Sequence, residues 1–234
     1  MRPLRRAAIP ALLLAAAGCR HALPPAPLPA DWLTLVRPPR PFAALYRFSC
    51  CGRRDLVLTV RGDERAVAVS VAIPPGGAAL AAWVDAEGGW VYRAKERCRE
   101  PLPQGMLPLS ASAALPLDPG MTALLLSGLL PEGTRELPGE MGWVGAAGRN
   151  LWWRARVAGP EAHWTRMIVG RNGEADPLVV AERREPETDP GLVPHDLVLK
   201  AGSVKAELTL REWRSSDPAA PPGWMSAPAC GAGS

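Results

Sequence analysis

Histidine is nearly missing from this chain. Of 234 residues only His21, His163 and His195 carry an imidazole, which leaves little material for proton shuttling or for a cluster of metal ligands. His195-Asp196 pairs a base with an orienting carboxylate, but no G-x-S-x-G elbow accompanies it, and Ser127 lies inside an apolar run. H-E-x-x-H, P-loop and dinucleotide-type glycine spacings are also missing. Glu185 and Glu187 fall in a proline-rich loop, where solvated turns account for carboxylates. The sequence therefore predicts no enzyme, no metal site and no cofactor. Lysine is scarce as well, confined to Lys95, Lys200 and Lys205. Arginines alternate with acids, as in Arg61-Gly-Asp-Glu-Arg65 and Arg93-Ala-Lys-Glu-Arg-Cys-Arg-Glu100, so no basic face for nucleic acid is expected. No apolar run reaches the roughly 20 residues that span a bilayer as a helix. Phenylalanine and tyrosine contribute two residues each, against nine tryptophans. An indole joins a large apolar surface to one N–H, which suits a core, a cavity wall or an interface anchor equally.

What is present begins at the N-terminus. Arg2, Arg5 and Arg6 precede an apolar stretch from Ala7 to Ala17, and Ala16-Ala17-Gly18 stands directly before Cys19. This order resembles the signal peptide of bacterial lipoproteins, which implies removal of residues 1–18 and lipidation of Cys19. Ala16 stands where such signals usually carry Leu, and an ordinary secretory signal cut near Ala17 is the alternative; both readings export the chain. Acyl chains contribute about 0.8 kcal/mol per buried CH₂, enough to hold a domain on a membrane without a spanning helix. Arg20 is not the Asp associated with inner-membrane retention, so the expected location is the outer membrane, facing the periplasm. Without the three signal arginines the basic residues fall from 27 to 24 against 23 acidic ones, leaving a nearly neutral mature chain.

Residues 19–41, with His21-Ala-Leu-Pro-Pro-Ala-Pro-Leu-Pro29 and Arg37-Pro-Pro-Arg-Pro41, read as a proline-rich linker, in which Asp31–Val36 is a segment able to dock. From Phe42 the period becomes two: Leu56, Leu58 and Val60, then Val67, Val69, Val71 and Ile73, then Leu80, Ala82 and Val84 each share a strand face. Asp118-Pro119 opens a short helix over Gly120–Leu130 that is apolar almost all round, the pattern of a helix buried on a sheet or covering an apolar opening. Strand alternation resumes at Asn150–Val157, His163–Val169 and Leu178–Arg183, and a hairpin joins Asp196–Lys200 to Val204–Trp213. About ten strands in antiparallel order predict a mainly β, α+β domain: a strongly curved antiparallel sheet or unclosed barrel, over residues 42–224, with a disordered tail at 225–234. Exported chains form disulfides, and either Cys50 or Cys51 is expected to reach Cys98 if their segments lie side by side, with Cys230 left to bridge the remaining cysteine or to stay free.

The anchor, the antiparallel run, the central apolar helix, and the closing segment Leu192-Val-Pro-His-Asp-Leu-Val-Leu-Lys-Ala-Gly-Ser-Val-Lys-Ala-Glu-Leu-Thr-Leu-Arg-Glu-Trp213 before Pro221-Pro-Gly-Trp224 are together similar to the LolA/LolB-like lipoprotein-carrier superfamily. The resemblance implies an unclosed barrel with a helical lid over a wide apolar cavity for acyl chains. On this sequence it points to Leu58, Val69, Val71, Trp83, Trp90 and Trp153 on inward strand faces and to Leu125, Leu126 and Leu129 on the lid, all of which ordinary core packing also explains. It further points to Trp143, in Pro138-Gly-Glu-Met-Gly-Trp143, as a membrane- or partner-contacting loop residue. The implied function is a membrane-anchored envelope lipoprotein that binds or relays lipid or acylated protein. The alternative is a structural or assembly lipoprotein that binds another envelope protein through an exposed Trp-bearing surface.

Overall fold

The computed structural model describes residues 27–37, 40–74, 78–102, 106–110, 113–147, 151–158, 162–184 and 193–231. Cys19, the signal segment, His21 and the Glu185/Glu187 pair lie outside the described residues.

Each long strand forms where apolar side chains recur at every second position. In β1 (Phe42–Cys50), Phe42, Ala44, Tyr46, Phe48 and Cys50 are buried, and in β2 (Arg53–Gly62) the matching set is Leu56, Leu58 and Val60. Val71 and Val69 of β3 (Ala66–Ala72) lie opposite Leu58 and Val60, so the apolar sets are in register on one face. Next come β4 (Ala78–Asp85), β5 (Gly89–Arg93) and β6 (Cys98–Leu102), completing an up-and-down meander. Its turns are held by aspartates: Asp63 accepts the Arg65 and Ala66 amides, and Asp85 those of Glu87 and Gly88.

The second meander runs through β9 (Arg135–Glu136), β10 (Trp143–Ala147), β11 (Leu151–Ala158), β12 (His163–Arg171), β13 (Pro177–Arg183), β14 (Asp196–Ala201) and β15 (Val204–Ser215). The last strand returns to pair with the first, from Phe42 opposite Ser215 to Cys50 opposite Ala206. The result is one antiparallel sheet of thirteen strands, whose edges are β6 and β9. The chain between those edges holds the separate ribbon β7 (Leu107–Ser110) and β8 (Ala113–Leu115), then the one α-helix among the described residues, α1 (Pro119–Ser127). This crossover lies on the face that carries the buried strand residues, so one large core is shared by the sheet, α1, Leu107 and Leu115 of the ribbon, and Leu117.

Three expectations are corrected. The domain is mainly β and its sheet unclosed, but the sheet is not strongly curled, and among the described residues the α-helical part is the one short helix α1. The tail is ordered as far as residue 231 rather than disordered from 225: Trp224 stacks on Tyr92, and the Pro228 carbonyl accepts the Arg99 amide at 2.9 Å. Cys98 is bonded to Cys230, at a Cα–Cα distance of 5.0 Å, and not to Cys50 or Cys51, which are bonded to each other. The reason is strand order. Five strand steps separate β1 from β6, roughly 24 Å at about 4.8 Å per step, whereas a disulfide needs Cα atoms within about 7 Å. The segment Asp31–Val36 docks on the domain, as its sequence allows: Trp32 and Leu35 are buried in a 3-10 turn, and the Leu35 carbonyl accepts the Leu130 amide at 2.8 Å.

Candidate functional site

The floor of the candidate site is the inner face where the two meanders meet. Leu58, Val60 and Val69 come from the first meander, and Leu199 and Leu208 from the second. Its roof is α1. Asp118 caps the helix by accepting the Met121 amide at 2.7 Å, and Pro119 occupies the first turn, where its missing N–H costs nothing. The helix is apolar on all sides, and its hydroxyls are turned onto its own backbone. Thr122 Oγ1 donates to the Asp118 carbonyl at 2.9 Å, and Ser127 Oγ to that of Leu124 at 3.3 Å. Leu125 and Leu126 therefore meet the floor with no competing polar group except Thr122, while Leu107 and Leu117 close the sides.

The space left between floor and roof is about 20 Å³. That is room for about one water molecule, against the roughly 300–1,000 Å³ of a ligand pocket. The wide apolar cavity implied by the family resemblance is thus not open in this structure; the seam is closed.

The residues named from sequence separate into three groups. Leu58, Val69, Leu125 and Leu126 line the seam, while Val71 and Trp153 lie on the same face in the shared core without bordering it. Leu129 is not on α1: Gly128 takes a left-handed φ of 79° and ends the helix one residue earlier. Trp83 and Trp90 point away from the site. Leu80, Ala82 and Val84 pair with Val71, Val69 and Val67 on the inner face, so Trp83, opposite Trp90 and Ala68, projects from the outer one. There Trp83 is buried with its indole N–H donating to Asp85 at 2.8 Å. Val60, Leu199, Leu208, Leu107, Leu117 and Thr122 complete the seam and were not singled out; strand alternation marks the first three as inward.

Trp143 opens β10 half-buried, beneath the Arg154 guanidinium at 5.4 Å, which also sits 5.9 Å from Trp152 and pairs with Glu140 at 3.3 Å. The exposed apolar residue of that loop is its neighbour Met141, 55% accessible. Loop residues 136–142 and Trp143 border a surface groove of about 620 Å³ together with Pro27 and Leu28. His195, exposed, contacts the half-buried Asp196 at 3.1 Å at the start of β14, whereas Ser127 is buried on α1 and engaged with Leu124, so the three do not form a triad.

Solved structures superpose on this fold. A LolA superfamily protein from Nitrosomonas europaea superposes with a TM-score of 0.50 over 83% of this chain and 96% of that one, at 11% sequence identity. The chain has a LolA-like fold. An outer membrane lipoprotein-sorting protein domain from Vibrio parahaemolyticus gives a TM-score of 0.38 at 6% identity over 81% of this chain and 91% of that one, too loose to carry an argument. No family model and no curated protein sequence matches the chain. In this LolA-like chain the apolar face, α1 and the closed seam between them are the parts available for a ligand of low polarity.

Proposed function

We propose that this protein is a lipid-anchored envelope protein that handles the acyl chains of lipid or lipoprotein between α1 and the inner sheet face, without catalysing a reaction. The observation that carries the reading is the seam itself. A helix with no polar face lies on an apolar floor, held at its ends by the Asp118 cap and the Gly128 turn. Such a roof exchanges hydrocarbon contacts with the floor for hydrocarbon contacts with an acyl chain at little net change in exposed apolar surface. Entry of a chain requires α1 to lift off the floor. Anchoring through Cys19 and an outer-membrane location facing the periplasm belong to the same proposal.

The test is native mass spectrometry of the protein extracted from envelopes in mild detergent. Acylated lipid at one per chain is expected, and it should be lost in Val69→Trp, which fills the seam. A wild-type protein that carries no acyl species and takes none up from phospholipid vesicles would overturn the reading. A second reading, a structural lipoprotein that binds a protein partner, rests on the small volume left in the seam, about 20 Å³; one stoichiometric envelope partner with no bound lipid would establish it.

A further inference from the structure

The surface opposite α1 carries a second construction, at the β6 edge of the sheet. Register places Trp83 opposite Trp90, and Tyr92 opposite Arg99, all on the outer face. The Arg99 guanidinium lies 4.3 Å from the Trp90 ring centre, and Trp224 stacks on Tyr92 with centroids 5.5 Å apart and planes 21° from parallel. Beyond β6 the tail adds one step of parallel strand pairing: the Arg99 amide donates to the Pro228 carbonyl and the Cys230 amide to the Arg99 carbonyl, each at 2.9 Å. Cys230 is then bonded to Cys98, next to the pairing residue. The tail contributes no buried residue in its 3-10 turn Gly223–Ser226, so it sits on the domain as a surface ligand and not as part of the core.

We infer that the β6 edge and its aromatic outer face form a docking site for an extended peptide, which the chain's own tail occupies while the Cys98–Cys230 bond is intact. The tail shows what the site takes. It binds through main-chain hydrogen bonds to an edge strand, with an aromatic side chain five positions before the pairing residue, as Trp224 stands to Ala229. Strand addition at a sheet edge is a common mode of peptide recognition, with main-chain bonds giving affinity and side-chain contacts giving selectivity. The partner that fits is a protein segment with one ring, carried on a 3-10 turn, to lay on Tyr92, followed by a short extended stretch that pairs with Arg99. Access opens by thiol–disulfide exchange with a dithiol: one reagent thiolate attacks a protein sulfur, a mixed disulfide forms, and the second reagent thiol displaces it. Cys98 and Cys230 are left as thiols carrying the two protons, and the reagent as its disulfide. The inference is independent of the acyl-handling proposal.

The test uses the full chain. A Cys98→Ser/Cys230→Ser/Trp224→Ala variant, with its own tail weakened, is titrated with a fluorescent peptide of residues 221–231 carrying Cys230→Ser. Binding at least about tenfold tighter than to the oxidised wild type is expected, and about tenfold loss when the peptide's Trp224 is Ala. Equal binding to variant and oxidised wild type, or indifference to the peptide's tryptophan, would overturn the inference. If circular dichroism shows the variant unfolded, hydrogen exchange on the wild type decides. Dithiothreitol should speed exchange of the Arg99 amide at least about tenfold, and added peptide should slow it again; an unchanged rate counts against the site.

Discussion

Single residues carry more of this fold than their number suggests. Asp85 accepts two turn amides through one oxygen and the Trp83 indole through the other, so Asp85→Ala should cost about 1–3 kcal/mol in urea unfolding, since Trp83 loses its partner while buried. Tyr46 is the converse. Its hydroxyl is buried with no hydrogen-bond partner among the described residues, and burial pushes its pKa upward, so the phenol stays neutral. Tyr46→Phe should leave the melting temperature unchanged or raise it; a fall of several degrees would mean the hydroxyl has a partner in solution. Glu182 supplies a pH dependence. The hydrogen bond from Lys200 and then the charges of Lys200, Arg166 and Arg184 hold its pKa below the ordinary 4.5. Because the folded pKa is the lower one, its contribution is complete above the unfolded pKa and disappears as pH falls through the folded value. Glu182→Gln should therefore lose up to about 1 kcal/mol at pH 7 and nothing at pH 2, read from denaturant melts at the two pH values.

At the scale of elements, what was legible and what was not follow from the period of each pattern. Strands β2, β3, β11 and β15 and the helix start at Asp118-Pro119 follow directly from alternation and capping chemistry. The helix end was hidden by Leu129-Leu130, which continue the apolar run past Gly128, although the glycine itself is the signal. The family resemblance points to Trp83 and Trp90 as inward, yet Leu80, Ala82 and Val84 already occupy that face, and a strand has only two. The seam residues from β14 and β15 could be seen as inward but not as neighbours of Leu58 and Val69, since strand alternation carries no information about which strands pair. Gly128→Ala, at a φ of 79°, should destabilise by about 1 kcal/mol or more in thermal melts, as only glycine adopts that conformation without strain.

For the whole molecule, the packed interior and the proposed anchor set the decisive measurements. On the proposal that Cys19 is acylated, Cys19→Ser should move the protein from the membrane pellet to the soluble fraction after cell breakage; continued retention would count against the anchor. The pairing of β1 with β15 has a consequence for time. The strands that join the two meanders are the first and the last of the sheet, with Phe42 opposite Ser215, so the central seam depends on the most distant contacts in the sequence. Long-range pairing is slow to form. Each meander can assemble from neighbouring hairpins, but the edge at which the two join, β1 on one and β15 on the other, stays unpaired until residue 215 is available. The core closes only when the last strand is in place, and that strand acts as the clasp.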